Sequence, residues 1–144
     1  MRFLREDFNR LSTRLELRLE ALGARWGILS ERSFREGMKY IIEKFFGGRV
    51  SRWEYYDEQG YVYGAPSVVD VDVLIKDSEH ILVEIKSRID RSDVVVFRRK
   101  ADLYEKTTGT KANLVMISPY VTDQAIDLAS KLNIKIIKGI PGTE

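Results

Sequence analysis

Two stretches of this chain, Ser67 to Ile75 and Ile81 to Ser87, limit its fold more than any other feature. Each alternates apolar, largely β-branched residues with charged ones, and a turn at Asp77-Ser78-Glu79 lies between them. Successive side chains on a strand point to opposite faces of the sheet. Val69, Val71, Val73 and Ile75 therefore share one face, and Asp70, Asp72 and Leu74 share the other. On the second strand Leu82, Glu84 and Lys86 lie together, with Val83 and Ile85 opposite. A three-residue turn joining the two as a hairpin sets Asp72 against Glu84 and Asp70 against Lys86.

Two carboxylates opposed across an apolar sheet repel each other, and a divalent cation between them removes the objection. The chain has no cysteine and a single histidine, His80, so zinc held by Cys and His is excluded and any metal must be held by oxygen. Mg²⁺, or Mn²⁺, suits a few carboxylates plus water. Asp72, Glu84 and the main-chain carbonyl of Ile85 would supply the protein ligands. Lys86 would orient the attacking water and offset charge on a phosphate. The plainer alternative is a surface hairpin with a Lys–Asp ion pair and solvated acids. The apolar residues flanking the acids argue against it.

The rest of the chain surrounds this hairpin with helices and further strands. Leu4, Phe8, Leu11, Leu15 and Leu22 form a near-heptad stripe over residues 3–22, broken at Arg18. Such a helix packs on its own domain or joins a second copy as a short coiled coil, giving a homodimer. Gly23 and Gly27 break it, and a helix follows from Ser30 to near Phe46, with Phe34, Met38, Ile41 and Phe45 as its buried stripe and Gly47-Gly48 as its stop. Val50 to Tyr56 reads as a strand, with a loop from Asp57 to Pro66 after it. A helix capped near Ser92 runs to about Thr107, Asn113 to Ser118 is a strand, Thr122 opens a helix to about Leu132, and Ile134 to Lys138 closes the pattern. The order predicts an α/β fold, a mixed sheet flanked by helices with an amphipathic helix in front. Two units follow: residues 1–29 as helix and linker, and 30–144 as the main domain.

A length of 144 residues with 44% hydrophobic and 32% charged residues suits one packed domain and a short appendage. No apolar run approaches the ~20 residues that span a bilayer, and Arg2, Arg5 and Asp7 stand where a signal peptide is apolar. The expectation is a cytoplasmic protein with no membrane partner. A net charge of +2 neither demands nor excludes a nucleic-acid partner.

On its strands and its element order, the set Asp72, then Glu84-Ile85-Lys86 beyond a hairpin, resembles the signature of the PD-(D/E)XK nuclease superfamily. The likeness covers about residues 30 to 140, in the order of a restriction endonuclease-like αβββαβ core. The N-terminal stripe, Arg25-Trp26-Gly27 and Val83-Glu84-Ile85-Lys86-Ser87 are similar to a group of uncharacterised prokaryotic proteins of that superfamily. One departure is that Pro66 lies several residues ahead of Asp70 and Asp72, where the pattern has a proline just before its acid. Asp72 is preferred as the ligand because it faces Glu84, with Asp70 as a supporting partner of Lys86.

The resemblance implies a Mg²⁺-dependent nuclease acting on DNA, often with a further glutamate from the first core helix. Glu31, one turn ahead of Phe34, fills that place, although acids are also favoured in a first turn by the helix dipole. Arg88, Arg91, Arg98, Arg99 and Lys100 add positive charge beside the site and are the candidates for phosphate contact, diluted by Asp90, Asp93, Asp102 and Glu105. His80 reads as a solvated turn residue, and Trp53, Tyr55, Tyr56, Tyr61 and Tyr63 as residues lining the sheet. The rival reading is a nuclease-fold module that binds DNA or assembles without turnover.

Overall fold

The computed structural model describes residues 31–138, with side chains at 36–40, 42–44 and 46–138. The N-terminal stripe at residues 3–22 lies outside the described residues. The order is α1 (Glu31–Phe46), β1 (Arg49–Asp57), β2 (Ser67–Lys76), β3 (Glu79–Ile85), α2 (Arg91–Thr108), β4 (Asn113–Ser118), α3 (Asp123–Lys131) and β5 (Ile134–Lys138). Five strands form one sheet in sequence order, antiparallel from β1 to β3 and parallel from β3 to β5. This is the mixed restriction endonuclease-like α/β sheet expected.

Both faces are covered. Val71, Val73 and Leu82 pack with Leu114 and Met116 against Val94, Phe97 and Ala101 of α2 and Ala125 and Ala129 of α3. On the other face Leu74, Ile81, Val83, Ile85, Val115 and Ile117 receive Met38, Ile42 and Phe46 from α1. Ile42 and Phe46 thus belong to the buried face of α1 together with Met38, the one residue of the expected stripe whose side chain is described. Between α1 and β1 the backbone of Gly48 comes so close to β2 that an added Cβ would stand 2.6 Å from the Ile75 carbonyl oxygen.

Caps account for the helix limits. Asp90, not Ser92, caps α2: its carboxylate accepts from the Asp93 N–H at 3.2 Å while Asp93 accepts from the Asp90 N–H at 2.9 Å. Gly109, in the left-handed region, ends that helix. Thr122 caps α3 by accepting from the Ala125 N–H at 3.1 Å.

The β2–β3 turn corrects a register. Asp77 and Ser78 both have positive φ, 51° and 70°, which makes a two-residue turn of the kind that follows strand twist. Glu79 belongs to β3 and pairs with Lys76. With one residue fewer in the turn, Asp72 pairs with Val83 instead of Glu84. A slip of one residue moves every side chain to the other face. Asp72 therefore belongs to the α1 face and Glu84 to the α2 face.

His80 is also in β3 and half-buried, its Nδ1 hydrogen-bonded to the Tyr104 hydroxyl, so it is not a solvated turn residue. Trp53 stacks on Tyr55 at 5.7 Å and meets Tyr104 edge-on at 5.1 Å, so these two residues do line the sheet, whereas Tyr61 and Tyr63 are exposed in the β1–β2 loop.

Candidate active site

Although the register separates the two acids by face, the sheet forks where they lie. The β2–β3 ladder ends at Asp72 and Val83, while β2 stays paired with β1 as far as Ser67 and β3 stays paired with β4 as far as Ile85. Past that point the two strands part. A cavity of about 210 Å³ opens between them, lined by Arg52, Asp70, Asp72, Glu84, Ile85 and Lys86 among others. Asp72, Glu84 and Lys86 are therefore brought together by a split in the sheet.

Each ionised group in or beside this cleft has a partner of opposite sign. Lys39 of α1 places its Nζ 3.6 Å from Asp72 Oδ1, and Lys100 of α2 places its Nζ 3.6 Å from Glu84 Oε1. Lys86 is 3.6 Å from Asp93, and Arg52 donates to Asp70 at 2.8 Å. The expected partnership of Asp70 with Lys86 is not made. Arg52 stands directly opposite Asp72 on the neighbouring strand and its guanidinium takes Asp70, leaving Lys86 to α2.

The two acids differ in what they lack. Asp72 Oδ1 is buried and accepts no hydrogen bond, because Lys39 stands at ion-pair distance and not at bonding distance. Burial pushes the Glu84 carboxyl above its ordinary range, and Lys100 and then Lys86 pull it back. A buried acceptor without a donor is rare in a folded protein and is costly unless something else occupies it.

The donor set can be tested against an oxygen-preferring divalent ion. Among the described residues no three His, Cys, Asp or Glu side chains cluster at metal-holding distance, so the side-chain contribution is two carboxylates at most. Ile85 also lines the cleft. Two acids, a main-chain carbonyl and retained water match the demand of Mg²⁺ and leave a Ca²⁺ cage poorly served. The orphaned Asp72 oxygen is the observation of this structure that favours such an ion.

Of the residues expected to meet phosphate, Arg88, Arg91 and Arg99 are exposed. Lys100 is only 5% exposed and is engaged with Glu84, so it serves the acid and not a nucleic acid. Arg98 is held by Asp102 at 2.9 Å and by the Leu132 carbonyl, and Arg99 donates to the Val62 carbonyl at 3.3 Å. The side chain of Glu31, the first residue of α1, lies outside the described residues. Lys39, next to the buried Met38, had no role in the expected site. The step of four from Met38 to Ile42 and Phe46 is the signal that sets Lys39 at the flank of the buried face.

Comparison with known proteins bears on the family. Residues 67–135 match the family described as the PD-(D/E)XK nuclease superfamily. The match takes in just under half of the chain and includes the strands that carry Asp72 and Glu84. Residues 1–66 match a second family, described as a protein of unknown function (DUF3782). Among solved structures the chain is similar to EndoMS in its apo form, with 16% identity over 80% of this chain and 48% of that one and a TM-score of 0.54. It is also similar to a repair endonuclease from Pyrococcus abyssi, with 24% identity over 63% of this chain and 39% of that one and a TM-score of 0.45. The likeness to EndoMS shows the shared fold. The chain spans less than half the length of either structure. No curated protein matches it. Among the described residues no helix is long and apolar enough to cross a membrane.

The boundary between the two matched families falls in the loop between β1 and β2, two strands that pair along their full length. Sequence families divide here where the sheet does not.

Proposed function

We propose that the chain is a Mg²⁺- or Mn²⁺-dependent nuclease that hydrolyses DNA phosphodiester bonds in the cleft between β2 and β3. The observation that carries this reading is the fork itself. It exposes Asp72, Glu84 and Lys86 to one cavity in a chain whose residues 67–135 match a nuclease superfamily. Asp72, Glu84 and the Ile85 carbonyl would hold the ion, which when bound supplies Lewis-acid stabilisation of the phosphate and eases ionisation of water. Lys86, at the mouth of the same cavity, would orient the water and neutralise charge that develops on the phosphate oxygens. Lys100 would keep Glu84 in place, and Arg52 would fix Asp70. The exposed Arg88 and Arg91 ahead of α2 would meet the backbone on either side.

The catalytic unit in this reading is residues 30–144, because α1 and β1 complete one face and one edge of the sheet. Glu31 would be the fourth member of the site beside Asp72, Glu84 and Lys86, the segment 1–29 would join two copies, and the setting would be cytoplasmic. The ion pairs around the cleft give the rival, a module that binds DNA without cutting it, a specific footing. One experiment separates them. Purified protein is incubated with supercoiled and linear DNA in Mg²⁺ or Mn²⁺, beside Asp72→Asn, Glu84→Gln and Lys86→Met. Divalent-dependent cleavage that falls at least ~100-fold in each folded variant supports the nuclease. Cleavage unchanged in the variants, or absent in both ions, refutes it.

A further inference from the structure

Lys39 is the one cation of the cleft supplied by α1 among the described residues, and it stands on the acid whose buried oxygen accepts no hydrogen bond. Its Nζ lies between Asp72 Oδ1 at 3.6 Å and Glu36 Oε2 at 3.9 Å, and its side chain is about a quarter exposed, 26%, against 12% for Asp72. Glu36 is largely in solvent. The ammonium is thus neither bonded nor buried: it satisfies Asp72 by charge alone and has room to leave. Lys100 is the contrast, engaged with Glu84 and nearly inaccessible.

The charges of the cleft give that difference a consequence. Asp70, Asp72, Glu84 and Asp93 are paired with Arg52, Lys39, Lys100 and Lys86 in turn, and the exposed Glu36 and Glu54 touch Lys39 and Arg52 from the solvent side. A divalent ion placed on Asp72 meets the Lys39 charge already there, and the two cations oppose each other. A site in that condition holds the ion weakly until anions arrive, and the anions of a nucleic-acid backbone are the ones at hand.

We infer that Lys39 is a positioning residue that occupies the cation place on Asp72 in the ion-free protein, gives it up to the divalent ion, and then offers its charge to the nucleic-acid backbone. Ion and backbone therefore bind as a coupled pair. The inference rests on the proposed metal-dependent nuclease reading, and its test keeps the two apart.

The probe is Mn²⁺, its free concentration read by electron paramagnetic resonance. Titrations use the full chain with and without a 20-base-pair DNA duplex of phosphorothioate backbone. Lys39→Met removes the competing charge and keeps most of the hydrocarbon stem. Without DNA this variant is expected to bind Mn²⁺ about threefold to tenfold more tightly than the parent. With DNA the parent is expected to tighten by at least about fivefold and Lys39→Met by less than about twofold, since coupling of this kind amounts to a few-fold to 100-fold. Lys39→Arg, which keeps the charge, should restore both parental behaviours, a rescue that a purely structural lysine would not show. Thermal melts confirm that each variant is folded. Equal Mn²⁺ affinity in the parent and Lys39→Met, while Asp72→Asn loses the ion, overturns the role of Lys39 alone. Retention of Mn²⁺ by Asp72→Asn overturns the metal site itself.

Discussion

Replacing Lys100 with methionine should cost this protein more than any other single charge removal in the cleft. Methionine keeps most of the hydrocarbon stem and removes the ammonium. What remains is the Glu84 carboxylate, 21% exposed at its side chain, without the cation that stood 3.6 Å away. Removing one partner of a buried pair generally costs about 3–5 kcal/mol, because the other charge stays behind. The opening of Glu84 toward the cleft admits some water, so the lower end, about 3 kcal/mol, applies. For a domain of this size that lowers Tm by roughly 10–15 °C. Neutralising both residues removes the stranded charge, so Glu84→Gln combined with Lys100→Met should recover about 2 kcal/mol over the lysine change alone. The assay is urea unfolding of the parent, both single variants and the double variant at pH 7.

The pH dependence has a definite sign. Burial already raises the Glu84 carboxyl above its ordinary range, and Lys100 is the largest opposing influence, so its removal raises the group further. A raised acid contributes stability that is complete below the unfolded value, about 4.3, and is lost as pH climbs through the folded value. The deficit of Lys100→Met relative to the parent should therefore be small near pH 4 and widen toward pH 8. A loss under about 1 kcal/mol at pH 7, or single-variant costs that add to within about 0.5 kcal/mol in the double variant, would refute the reasoning.

Two further predictions concern the hairpin and its approach. Ser78 holds φ at 70° with a side chain present, so Ser78→Gly should stabilise the protein by about 1 kcal/mol, seen as a later midpoint with unchanged slope in urea. A midpoint that falls would show that the serine side chain does more there than tolerate the turn. Gly48→Ala should cost about 2 kcal/mol by forcing β1 away from the Ile75 carbonyl, and an unchanged melting temperature would contradict that contact.

Much of this fold was legible because its signals are local. Asn113 to Ser118 holds a continuous apolar run and Ile134 to Lys138 a short isoleucine-rich one broken by Lys135, and both strands have the expected limits. Gly109 and Thr122 marked helix ends for the reasons that glycine and threonine do elsewhere. The β2–β3 register was not legible, because the turn that sets it uses Asp77 and Ser78 in left-handed conformations without the glycine that normally announces them. The ion partners were not legible either. Which lysine of a helix overlooks a cleft depends on the helix's rotation about its axis, so nothing in the sequence set Lys39 over Asp72, and a basic run on α2 made the buried Lys100 look like surface.

The corrected register also changes what kind of site this is. Had Asp72 and Glu84 met on one face, a single helix layer would have served both, and the opposite layer would have been packing alone. With the acids on opposite faces, neither layer suffices: α1 supplies Lys39 to Asp72, and α2 supplies Lys100 to Glu84 and Asp93 to Lys86. The two acids still line one cavity only because the β2–β3 ladder stops at Asp72 and Val83. The division between the matched families therefore cuts through the site, since Lys39 and Arg52 fall in residues 1–66 and Asp72, Glu84, Lys86 and Lys100 in residues 67–135. Whatever the first segment does elsewhere, here it contributes one edge strand, one covering helix and two of the four cations that pair with acids in or beside the cleft.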